Sequence, residues 1–199
     1  MRKKLILITL FSFIIVIFTS CSLVGSQLNS SSLGGSNLWD RFNDNDQKIA
    51  DKKMEQILDA IKNRDKSTME KLFSKKSIAE VKDLDGSISK LFDYFQGNFI
   101  SYNDWNAVNA DGGINDPGTG RSWKCLYSTF DVKTTKITYR FAIKEFIQDT
   151  ADPDNVGICS LHIIKMEDDT DKQFAYRGDG KDTPGINFNV KNVLPKEDS

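Results

Sequence analysis

The chain is short of the residues that most often carry chemistry. Its 199 residues include one histidine, His162, and three cysteines. One histidine cannot build a multi-histidine metal site or a histidine pair. Cysteines at positions 21, 125 and 159 lack the close spacing of a CxxC redox or zinc motif. There is no G-x-S-x-G turn, no Ser/His/Asp constellation and no glycine-rich phosphate loop. Net charge is equally scant, with 27 Lys and Arg against 28 Asp and Glu. No Lys/Arg stripe with interleaved aromatics occurs, which argues against nucleic acid as a partner. Long apolar runs are limited to one, near the N-terminus.

That run, Leu5 to Phe18, follows Arg2, Lys3 and Lys4 and ends in Phe18-Thr19-Ser20-Cys21. A basic start, an apolar middle and a close of small polar residues are signal-peptide architecture. The run is also shorter than the roughly 20 apolar residues that a bilayer-spanning helix needs. Phe18-Thr19-Ser20-Cys21 resembles the lipobox of bacterial lipoproteins, in which the cysteine thiol receives diacylglycerol before cleavage. Phe18 departs from the Leu, Val or Ile of that pattern. The resemblance implies that residues 1–20 are a signal peptide, that Cys21 becomes a lipidated N-terminus, and that the chain is held on the extracytoplasmic face of the cell membrane. Each buried methylene contributes about 0.8 kcal/mol, so two acyl chains hold where one is marginal. Without residues 1–20 the chain carries 24 basic against 28 acidic residues, so anionic head groups would repel rather than attract it. A disulfide is permitted outside the membrane, and Cys125 and Cys159 both fall on segments with strand texture. Two small buried, unpaired thiols are the favoured reading, since two cysteines are too few for a disulfide-dependent scaffold.

Residues 21–43 are rich in Ser, Gly and Asn and read as a flexible tether; Leu38, Trp39 and Phe42 either dock on the domain or stay mobile with it. One domain then spans 44–192, with a disordered tail at 193–199. From Asp44 to Asn63, Ala50, Met54, Ile57, Leu58 and Ile61 recur at three- and four-residue steps, the pattern of an amphipathic helix. A second helix starts near Asp65 with Met69, Leu72 and Phe73 inward, and a short third carries Ile78 and Val81. A fourth follows Gly86 and Ser87, with Ile88, Leu91, Phe92 and Phe95 inward and Gly97 beyond its end. Strands are expected at 98–105, 121–132, 137–147, 156–166 and 184–190, with 107–120 a turn-rich loop. In the third of these, Ile137, Tyr139, Phe141, Ile143 and Ile147 alternate with Thr138, Arg140 and Lys144. Helices first and strands after indicate α+β, with N-terminal helices packed on one face of a curved antiparallel sheet.

The segments AIKNRDKSTMEKLFSKKS, LFDYFQG, DPDNVGICSLHIIK and DGKDTPGI, in that order, resemble domain-of-unknown-function family 5104, a set of lipoproteins from low-GC Gram-positive bacteria. The resemblance runs from about Asp46 to Val190. It implies a nuclear transport factor two-like fold, a cone in which a bent sheet wraps helices around a pocket. Ketosteroid isomerases and polyketide cyclases share that fold with many non-catalytic binding and assembly domains, so the resemblance speaks to fold more than to activity.

For an enzyme of the isomerase or dehydratase type, the candidate residues are His162 as acid or base, with Tyr94, Tyr127 or Tyr139 as hydroxyl and Asp93 or Asp131 as carboxylate. In the plainer reading His162 is a satisfied core imidazole and the others are ordinary core aromatics and solvated charge. Asp149, Asp152 and Asp154 are oxygen donors of the kind calcium takes. The spacing is not that of an EF-hand, however, and Pro153 and Gly157 suit a turn. No cofactor is implied. The leading expectation is a non-catalytic binding domain, tethered to the membrane through Cys21, that engages a small apolar ligand or an envelope protein. Alternatives are an isomerase-type enzyme and a dimerisation module using the apolar strand around Ile158 and Ile164.

Overall fold

Four helices precede six strands in the computed structural model, which describes residues 36–104, 108–116, 118, 120–169 and 181–188. The signal peptide, Cys21, the first part of the tether and the tail at 193–199 lie outside the described residues. Helix α1 (Ser36–Asn63) begins upstream of Asp44, so the end of the expected tether is helical. Once packed turns have nucleated a helix, extending it through polar residues costs little. Ala50, Met54, Ile57, Ala60 and Ile61 form its buried stripe, as the periodicity indicates. Helices α2 (Lys66–Lys71), α3 (Lys75–Glu80) and α4 (Leu84–Tyr94) are each started by a side chain accepting an otherwise orphaned N–H: Asp65 from Thr68, Ser74 from Ser77 and Asp83 from Gly86. Helix α4 therefore starts two residues before Gly86.

The strands are β1 (Phe99–Asp104), β2 (Asn109–Asp116), β3 (Arg121–Thr134), β4 (Thr138–Asp149), β5 (Gly157–Lys165) and β6 (Gly185–Phe188). Their order is β1-β3-β4-β5-β6, with β2 also on β3. β1 and β2 thus share one edge of the long β3: Asp104 sits opposite Phe130 and Asn109 opposite Tyr127. The expected loop at 107–120 is corrected here. Its glycines and aspartates read as turn, but fourteen residues of β3 offer an edge along which even a poor strand former satisfies its backbone. The all-antiparallel expectation is corrected as well, because β6 runs parallel to β5, with Ser160 opposite Gly185 and Ile163 opposite Phe188. Side-chain alternation reports which face is buried and carries no information on strand direction. The sheet is mixed and the class is α+β.

Phe130, Val132, Tyr139, Phe141, Ile143, Leu161 and Ile163 pack in one core with the apolar residues of all four helices. The interior is filled: Tyr139, Phe130, Phe141, Met54 and Ile57 are among its largest fully buried side chains. Two bulges break the period-two pattern, one leaving Ile147 unpaired opposite Lys124 and Cys125, the other leaving Cys159 unpaired opposite Lys144 and Glu145. Glu145 lies opposite Leu126 and Ile158 and so shares the inward face, a carboxylate where the alternation suggests an apolar residue.

Tyr139 ties sheet to helices. Its hydroxyl donates to the Tyr94 carbonyl and accepts the Gln96 N–H, both at 2.8 Å, and its ring stacks on Phe95 with centroids 5.0 Å apart. Thr134 donates to the Gln96 carbonyl at 2.8 Å, and Gly97, with φ +86°, passes so close that a Cβ there would stand 2.9 Å from the Thr134 hydroxyl. The α4–β1 connection is thereby fixed to the β3–β4 turn. Tyr139→Phe removes both hydrogen bonds and keeps the ring, so unfolding in urea should show a loss of about 1–3 kcal/mol with an unchanged denaturant slope.

Candidate functional site

The structure does not bring His162, Tyr139 and Asp93 together. His162 alternates with the core residues Leu161 and Ile163 and therefore stands on the opposite, outer face of the sheet. It is 1% exposed. The gap beside it, bordered by Tyr127, Ala142, Lys144, Ser160 and Asp182, is too small for a water molecule. Tyr139 is on the inner face, with its hydroxyl spent on backbone as described. Asp93 is on the surface at the end of α4, 2.7 Å from Arg64. Of the other candidates, Asp131 is gripped by Arg140 at 2.7 and 3.0 Å, Tyr127 lies under the Lys144 ammonium at 5.4 Å, and Tyr94 packs on Tyr139 and Phe188.

The acidic loop is occupied by protein donors. Asp149 accepts the N–H groups of Ala151 and Asp152 and the Asn155 side-chain amide, at 3.0–3.1 Å, and these hydrogen bonds, Asn155 first, hold its pKa below the ordinary carboxylate value. Asp152 pairs with Lys76 at 3.1 Å and Asp154 with Lys75 at 2.8 Å, so the turn is pinned to α3. Among the described residues no group of three or more His, Cys, Asp or Glu could hold a metal ion. Cys125 and Cys159 are free. They lie on β3 and β5 with β4 between them, and two strand spacings of about 4.8 Å separate their backbones by more than the ~7 Å a disulfide spans. Burial pushes the Cys125 thiol up to about 12, so it is not a nucleophile at neutral pH.

Two buried carboxylates join α1 to the sheet. Asp46 pairs with Lys124 of β3, and Glu145 of β4 pairs with Lys53 at 3.2 Å. The Glu145 side chain is only 2% exposed, and its second oxygen, Oε1, has no hydrogen-bond partner among the described residues. Burial raises its pKa, and Lys53 opposes that shift only in part.

Open space flanks α1 at both ends: a hollow of about 410 Å³ beside Glu145 is bordered by Ile49, Lys52, Lys53, Phe146, Ile147 and Val156, and the other lies toward the C-terminal end of the helix. A cleft of about 410 Å³ is lined by Leu58, Ile61, Phe92, Phe95 and Phe99 with Lys62 and Arg64 at its rim. It continues past Leu58 and Phe99 into a second hollow of about 390 Å³ bordered by Glu55, Asp59 and Tyr102. The walls are α1, the end of α4 and the edge strand β1. Phe99 and Ile100 are 45% and 52% exposed. Tyr102 donates to Glu55 at 3.4 Å, and burial together with Asp51 and Glu55 pushes its hydroxyl up to about 12, so it stays a neutral donor. Sequence reading placed Leu58 and Phe95 in the core and left Phe99 and Ile100 without a role. The signals were present: Ile57 and Leu58 are adjacent, which widens the α1 stripe past what the core needs, and two neighbouring apolar residues in a strand cannot both face inward.

Among the described residues these features define a class: an α+β fold with a packed core, no converging catalytic side chains, and an apolar surface cleft beside the sheet edge formed by β1. The chain belongs to the family described as Domain of unknown function (DUF5104), whose model matches residues 56–166 and so takes in the end of α1, helices α2–α4 and strands β1–β5. No curated protein matches the chain.

Glu145 supplies a pH test of the buried pair. Its folded-state pKa is raised, so the stability it contributes is complete below the ordinary glutamate range and is lost as pH rises through the raised value. Urea unfolding of the native chain and of Glu145→Gln, followed from acid to neutral pH, should show the native chain losing stability relative to the variant across that window. A pH-independent difference would place the carboxyl outside the buried pair.

Proposed function

We propose that this protein is a lipoprotein anchored through Cys21 on the extracytoplasmic face of the cell membrane, and that its domain is a non-catalytic docking module that takes an apolar group into the α1–α4–β1 cleft. The anchor rests on the basic, apolar and lipobox-like succession of residues 1–21. Among the described residues no helix is long and apolar enough to cross a membrane. The observation that carries the binding role is the cleft itself: five apolar side chains line a cavity the size of a small-ligand site, open to solvent, while the interior is packed. The nuclear transport factor two-like cone suggested by the sequence is compatible with helices laid on one face of the sheet. In that frame the cleft lies at the rim of the cone and not inside it. The isomerase reading has little support, because His162, Tyr139 and Asp93 occupy the outer face, the inner face and the surface.

Two measurements test this. Growth with an alkyne-bearing palmitate analogue should label the native protein and leave Cys21→Ser unlabelled; equal labelling of both would refute the anchor. An environment-sensitive apolar dye should bind the mature domain with enhanced emission, and Leu58→Arg should weaken that binding by at least about tenfold, since the half-buried Leu58 borders both halves of the cleft. Leu58→Arg with undiminished dye binding would remove the cleft as the site.

A further inference from the structure

The sheet has two edges, and its strands treat them differently. β6 is four residues long. β2 exposes Asp111 and Gly112 and contains a second glycine at 113, a poor template for a further strand. β1, by contrast, reads Phe-Ile-Ser-Tyr-Asn-Asp, without the lysine, arginine or proline that guards most free edges. Its one protective feature is a bulge at Ile100, which leaves Ser101–Asp104 in regular register with β3 and turns the apolar Ile100 outward, 52% exposed.

Charge is laid out along this edge in order. Helix α1 runs antiparallel to β1, with Lys62 beside Phe99, Glu55 at Tyr102, and Gln47 bonded to Asp104. One end of the edge is therefore basic, with Lys62 and Arg64, and the other acidic, with Glu55, Asp51 and Asp104. Arg64 is engaged by Asp93, but Lys62 makes no ion pair with the described residues. A two-fold axis across β1 pairs the strand antiparallel with its copy and sets the basic end of each protomer against the acidic end of the other. Such an isologous contact is self-complementary in backbone hydrogen bonds and charge. We infer that the occupant of this edge is a second copy of the chain: β1 pairs antiparallel with β1, which sets Phe99 and Ile100 of each copy against the Asn103–Asp104 end of the other. The outer-face patch around Ile158 and Ile164 cannot serve, since both residues are completely buried and Ile158 belongs to the inner core.

This inference concerns the strand edge and leaves the cleft open to a ligand, and the experiment separates the two. Sedimentation velocity of the full mature chain carrying Cys21→Ser, over a rising concentration series, should show a monomer passing to a dimer that weakens with added salt. Ile100→Lys should abolish the dimer and Lys62→Glu should weaken it several-fold, both with the thermal midpoint unchanged in dilute solution, where the chain is monomeric, because the two side chains are exposed. A native chain that stays monomeric at every concentration overturns the inference, and if it still binds the apolar dye the docking role stands without it. A dimer that survives Ile100→Lys also overturns it, because the contact would then lie elsewhere.

Discussion

The fold depends on the seating of α1 across the inner face of the sheet. Ala50, Met54, Ile57, Ala60 and Ile61 reach the core at helical intervals and meet Phe130, Phe141, Ile143, Leu161 and Ile163 from three neighbouring strands. A stripe of apolar residues fixes which side of a helix faces inward but tolerates some sliding and rotation. Asp46 with Lys124 and Lys53 with Glu145 remove that freedom, since each ion must be matched once it leaves water. The remaining helices are then placed by short devices: three capped helix starts, the Phe73–Ile158 bridge, and the Tyr139 hydroxyl between Tyr94 and Gln96.

The same seating creates the cleft. Because α1 covers the middle of the sheet and α4 ends at Tyr94, the chain passes from α4 to β1 with Phe95 and Phe99 flanking a space that neither helix fills. The cleft falls beside the β1 edge, which pairs with no further strand among the described residues, while Arg140, Ala142, His162 and Ile164 on the outer face of β4 and β5 are buried. Arg140, reaching both Asp131 and Asp169, and Lys144, held by Asp182 at 2.7 Å, belong to that closed face. Among the described residues the titratable groups are spread over inner face, outer face and surface without converging, an arrangement that supports the docking role proposed for the cleft.

Several parts of this architecture were legible in the residues. The α1 stripe, the start of α2 at Asp65, the inward set of α4 and the strands holding Tyr139 and Ile163 follow from period and capping chemistry, which are local. β2 was not legible, because Gly112, Gly113 and their aspartates have turn chemistry, and only the length of β3 recruits them as a strand. Neither was the parallel seating of β6, which depends on a crossover rather than on its own four residues. Glu145 escaped notice because alternation marks a position as inward without saying that a lysine from a helix ninety residues earlier meets it there.

By itself the sequence determined the α+β class, the helical stripe, the strand faces and the lipobox-like start, because each rests on interactions between residues a few positions apart. Tertiary structure alone decided that His162 and Tyr139 stand on opposite faces, that β4 keeps Cys125 and Cys159 from pairing, and that Leu58, Phe95 and Phe99 enclose a cleft. Those outcomes depend on register and on which strand lies beside which, and such relations are fixed by packing between segments that are distant along the chain.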